Sequence, residues 1–142
     1  MKNKNQSLRF DQRVFGRWGS ATLELSLTLI ILLNITYGTI EFGQYFFVKN
    51  QLQGAAREGA RAGVPQGATT SDVTSAISSV MSLAGMSGSG YTVTQSGATG
   101  TTGSLVSVTV SVTWSNVALR YRPYSLIGSG KVVSGTAVMR KE

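Results

Sequence analysis

The run from Leu25 to Ile40 constrains this chain more than any other feature: sixteen consecutive residues carry no charge, and continuing past Glu41 to Val48 gives twenty-four with that single acid. As a helix rising ~1.5 Å per residue the two lengths are roughly 24 and 36 Å, which bracket a hydrocarbon core of about 30 Å. Leu27, Leu29, Ile30, Ile31, Leu32, Leu33, Ile35, Ile40 and Phe42 supply apolar surface, diluted by Asn34, Thr36 and Tyr37. The competing reading is the core helix of a soluble protein, but fewer than a hundred residues remain to surround it. One membrane crossing is expected, over about residues 25–48.

Charge gives the expected orientation. Lys2, Lys4, Arg9, Arg13 and Arg17 lie in the first eighteen residues with only Asp11 against them, whereas residues 62–119 contain one charge, Asp72. Cations on the near side of a span hold that side in the cytoplasm, so the C-terminal part is expected outside. The net +7 does not point to nucleic acid: without residues 1–19, eight cations face five acids. The chain has neither His nor Cys, which removes a Ser-His-Asp relay, the usual zinc ligands and disulfides. Beyond Glu58 the only acids are Asp72 and Glu142, so no catalytic carboxylate pair is in prospect. No enzyme activity, catalytic residue, metal or cofactor is expected.

No Pro interrupts residues 24–62, and Gly63-Val64-Pro65 follows; the residue before a Pro is pushed out of helical geometry. A helix over 20–62 is therefore expected. In its outer half Ala55, Gly59 and Gly63 recur every four residues beside Ala56 and Ala60, a flat face suited to packing on a sheet of the same chain or on a second helix. Ser71 suits a helix N-cap with Asp72 near the positive end, and Val73, Ile77, Val80, Met81 and Ala84 follow helical spacing up to Gly85. Three strands follow. Tyr91–Gln95 is short, and Leu105–Trp114 alternates with Val106, Val108, Val110, Val112 and Trp114 on one face. Lys131–Arg140 puts Val133, Ala137 and Met139 on one face and Val132, Ser134, Thr136 and Val138 on the other. The connection over 115–130 carries Tyr121, Pro123, Tyr124, Leu126 and Ile127, too apolar for a free linker. The expected fold is α+β: a basic leader (1–19), a long helix (20–63), and a head (64–142) with a short second helix and an antiparallel sheet of three strands.

Where the basic stretch meets the span stands Gly19-Ser20-Ala21-Thr22-Leu23-Glu24. A glycine, four residues and a glutamate before an apolar helix is the arrangement of type IV prepilins and pseudopilins. The resemblance implies cleavage between Gly19 and Ser20 by a prepilin peptidase on the cytoplasmic side, leaving the helix attached. Gly is physically apt, having no side chain to obstruct a protease cleft. Glu24 needs a partner or a shallow position, because a carboxylate is costly inside a bilayer. In the prepilin picture the new amine of Ser20 on a neighbouring subunit meets it during assembly. The plain alternative is a glutamate at headgroup level, or one capping its own helix.

Further along, Glu41-Phe42-Gly43 and Ala55-Ala56-Arg57-Glu58-Gly59-Ala60-Arg61 closely resemble TadE-like proteins, the minor pilins or pseudopilins of tight-adherence (Tad, Flp) pilus systems. The resemblance covers residues 16–63, with Gln44 and Gly54 departing from the family pattern. It implies a single-pass structural subunit in the cytoplasmic membrane that acts in pilus assembly for surface adhesion. Implied partners are the prepilin peptidase, other pilins including TadF-like and Flp major pilins, the Tad assembly platform and membrane lipid. A TadF-type member fits the same outline. For Arg57, Glu58 and Arg61 the plain reading is a solvated face with a Glu58–Arg61 pair worth about 0.2–0.5 kcal/mol; the functional one pairs Glu41 with Arg57 or Arg61 between subunits. The alternative function is an extracytoplasmic binding domain, secreted or membrane-anchored, exported by a Sec-type signal, for which Thr36-Tyr37-Gly38 makes a poor cleavage site.

Overall fold

In the computed structural model the described residues are 13–118 and 126–142, with side chains from Gly19 onward. Lys2, Lys4, Arg9 and Asp11 of the leader, and Tyr121, Pro123 and Tyr124 of the apolar connection, lie outside them. The elements run α1 (Arg13–Ala62), α2 (Thr70–Leu83), β1 (Thr92–Ser96), β2 (Leu105–Thr113), α3 (Trp114–Val117) and β3 (Val132–Arg140). Contacts divide the chain into two units, Met1–Thr36 and Tyr37–Glu142.

Helix α1 begins by Arg13, inside the basic leader, where a start at Ser20 was expected. Nothing breaks it at Gly19, because a lone glycine costs a helix only about 1 kcal/mol relative to Ala. In the first unit three polar side chains of the apolar run bond back to their own helix: Ser26 Oγ donates to Thr22 O at 2.8 Å, Asn34 Nδ2 to Ile30 O at 2.8 Å and Thr36 Oγ1 to Leu32 O at 2.9 Å. That removes donors which would otherwise be unpaired in hydrocarbon.

In the second unit α1 presents a buried seam of Gly38, Glu41, Val48, Leu52, Ala55, Ala56, Gly59 and Ala60, continued by Gly63 just past its end, with Tyr45 half-buried. Steps of three and four keep these positions on one side of the helix. Opposite lies the sheet, antiparallel and in the order β1-β2-β3, as the alternation predicts. Val106, Val108, Val110 and Val112 of β2 are at most 2 % exposed, joined by Val133 and Ala137 of β3. Trp114 shares that face but opens α3 where it was expected to end the strand; its ring meets Tyr45 edge-on at 5.7 Å. The opposite face is wet, and its hydroxyls pair across strands, Thr109 with Thr136 at 3.0 Å and Thr92 with Ser111 at 2.8 Å.

α2 adds Val73, Ile77 and Met81 to the core. Its N-cap is Thr69, not Ser71: Thr69 Oγ1 accepts from Asp72 N at 3.3 Å, and Asp72 Oδ2 accepts from Thr69 N at 2.8 Å. This reciprocal box satisfies two donors at once, which Ser71 inside the first turn cannot do. The Thr69 hydroxyl and then its backbone N–H hold the Asp72 carboxyl below its usual 3.8. A carboxylate so depressed stabilises the fold above the unfolded value and loses that contribution as pH falls through the folded one. We expect Thr69→Ala to cost about 1 kcal/mol at pH 7. Asp72→Asn should be destabilising at pH 7, by a difference from wild type that shrinks as pH falls below 3.8. Denaturant titration of the detergent-solubilised chain at pH 7 and below 3.8 checks both.

Side chains of α1 also cover the middle of the sheet's outer edge. Gln53 Nε2 donates to Thr136 O at 2.7 Å while its Oε1 accepts from Thr136 N at 3.3 Å, and Lys49 Nζ donates to Ser134 O. These are the outward backbone groups of β3, which an exposed edge would leave free for another strand.

Candidate functional site

The implied processing element is presented openly. Gly19, Ser20 and Glu24 are exposed, and a Cβ placed on Gly19 would meet nothing within 4 Å. From there the helix shows its apolar side chains to the outside: Leu23 is 74 % exposed and Ile35 62 %. The stretch Gly19–Ala62 is long and apolar enough to cross a membrane, with mean hydropathy 1.6 over its best eighteen residues, of which 6 % are buried. A core helix of a soluble body would be buried along this run.

The Ala55–Arg61 motif separates into two faces. Ala55, Ala56 and Ala60 are fully buried. A Cβ on Gly59 would come within 2.7 Å of Ile77 Cγ1, and one on Gly63 within 2.8 Å of Val106 Cγ1. The small residues therefore allow close approach of α2 and β2 within the same chain, the helix-on-sheet reading. Arg57 and Arg61 project outward, and Arg61 Nε lies 3.9 Å from Glu58 Oε1 on an exposed surface, a pair that contributes little.

Glu41-Phe42-Gly43 divides differently. Phe42 and Gly43 are exposed, but Glu41 is only 5 % exposed. Its two oxygens accept from the backbone N–H groups of Leu126 (3.0 Å) and Ile127 (3.2 Å). The carboxylate thus anchors a turn 85 residues away in its own chain, a contact with no local signature in the sequence. At the far end of α1, the buried Lys141 Nζ donates to Gly63 O at 3.2 Å and to Ala98 O, and Glu142 N donates to Val64 O at 3.3 Å. A cation beside the last carbonyls of a helix is electrostatically well placed.

A cavity of about 310 Å³ lies beside Gln44, Val48, Met86, Ser89, Asn116 and Val117. Its polar groups bond to one another: Gln44 Nε2 to Val117 O at 3.2 Å, Asn116 Nδ2 to Ser89 O at 3.1 Å. Among the described residues no three His, Cys, Asp or Glu side chains gather where a metal ion could be held.

A family model described as TadE-like protein matches from Gly19 through the apolar helix to Arg61. Residues 19–61 are TadE-like. The match begins at the glycine of the processing element and ends on the last arginine of the two-faced motif, so the TadE-like segment contains the processing element, Glu41-Phe42-Gly43 and Ala55–Arg61. With the exposed apolar helix it supports a membrane protein associated with Tad pili. No curated protein and no solved structure matches the chain.

Proposed function

We propose that this protein is a minor pilin or pseudopilin of a Tad/Flp-type pilus: a structural, non-catalytic subunit that crosses the cytoplasmic membrane once, with its N-terminus inside and its head outside. A prepilin peptidase cuts it after Gly19, and Glu24 then receives the amine of Ser20 from a neighbouring subunit during assembly. The observation that carries the reading is a TadE-like match starting at Gly19 on a helix whose apolar side chains face outward. Because α1 runs through the cut, the peptidase must unwind a turn locally, and a glycine makes that inexpensive relative to other residues. Its partners are that peptidase, the assembly platform, TadF-like and major pilins, and membrane lipid.

Gly19→Ala should reduce processing at least tenfold when a prepilin peptidase is co-expressed, read as retention of the mass of residues 1–19. Mass spectrometry of the wild-type chain should place the mature N-terminus at Ser20. An N-terminus beyond Tyr37 would instead make the protein an exported binding domain.

A further inference from the structure

We propose that the Leu126–Ile127 turn sits among the acyl chains of the outer leaflet, where it covers Glu41. The inference rests on α1 being the membrane span. Two features that a sequence would keep apart overlap in this unit: the uncharged surface of α1 continues to Val48, yet the seam on which the head packs begins ten residues earlier, at Gly38. After Glu41 the next charge is Lys49, held by Ser134 O. Counting down the helix axis from Lys49 at ~1.5 Å per residue, Glu41 is about 12 Å away and Gly38 about 16 Å. A hydrocarbon layer of about 30 Å reaching up toward Lys49 includes both levels.

At that level stands Leu126. A Cβ on Gly38 would lie 3.3 Å from its Cδ1, its N–H is on Glu41, and 59 % of the residue is exposed. Its exposed neighbours along the helix are apolar: Ile40 at 48 %, Phe42 at 52 %, Phe46 at 60 %. Leu126 therefore extends the same apolar surface that the span presents to lipid. The Glu41 carboxylate and the two N–H groups of the turn satisfy one another. Irregular backbone is not tolerated in hydrocarbon unless its donors are bonded, and a carboxylate is costly there unless covered. Glu41 meets the first condition for the turn, and the turn meets the second for Glu41.

The chain contains no Cys, so Leu126→Cys, Leu33→Cys and Thr94→Cys each give one labelling site in the full-length protein. Leu126 and Thr94 are exposed, and labels there leave the core intact. Each variant, carrying an environment-sensitive fluorophore, is reconstituted in phosphatidylcholine vesicles with or without brominated acyl chains. The expected result is at least twofold quenching at positions 33 and 126 and none at 94. Quenching at 33 with position 126 behaving like 94 overturns the buried turn while leaving the span intact. No quenching at 33 removes the span, and the proposal with it.

Discussion

Gly135→Ala should destabilise the head by about 3 kcal/mol or more, at the top of the usual range for overpacking. Gly135 lies midway along β3, opposite Val110 in register, and faces α1. A Cβ at this position would collide with the backbone of Leu52 and Gln53. Side chains can rotate away from an intruding methyl; helix backbone cannot. The helix is moreover fastened to the strand on either side of the contact, by Gln53 on Thr136 and Lys49 on Ser134, so relief would require breaking those bonds. Gly54 supplies the control. It lies on the same helix, but a Cβ there meets nothing within 4 Å, and Gly54→Ala should stabilise by about 0.5–1 kcal/mol through helix propensity. Denaturant titration of both variants in micelles, followed by tryptophan fluorescence, reads the opposite signs directly. Equal effects at the two glycines would remove the close approach of α1 and β3.

Glu41→Ala should cost about 2–6 kcal/mol, because each of two N–H groups loses its acceptor at a penalty of about 1–3 kcal/mol. Glu41→Gln should fall between wild type and Ala, since its amide keeps one oxygen for Leu126 or Ile127 while placing a donor against the other N–H. Amide exchange gives a local readout: protection at Leu126 and Ile127 should collapse in the Ala variant while Val108 and Val110, in the middle strand, lose only what global stability loses. Unchanged exchange at the turn would mean that Glu41 does not hold it.

The elements that proved readable are those whose pattern differs between faces. β2 alternates a valine with a hydroxyl, and α2 repeats apolar residues on a helical period; in both, burial follows the pattern. The span defeats the same method. Where nearly every residue is apolar, periodicity carries no direction, so nothing marked Gly38, Glu41 and Tyr45 as the start of the packing seam. Glu41 itself looked like a candidate for pairing with Arg57 or Arg61, because its backbone partners lie in a distant turn. The N-cap was misplaced by two residues for a different reason: Asp72 bonds back to Thr69 as a shorter stand-in for the usual Glu or Gln of a capping box. Within the Ala55–Arg61 motif the small residues read correctly as packing, since a methyl or a hydrogen every fourth position has no other obvious use on a helix.

The fastening of Gln53 and Lys49 onto β3 gives the sheet a polarity in how it can associate. On the β3 side the outward groups of Thr136 and the carbonyl of Ser134 are taken by the chain's own helix, whereas β1 borders the sheet on the other. A strand adding along the middle of β3 would first have to displace Gln53 and Lys49 from those groups.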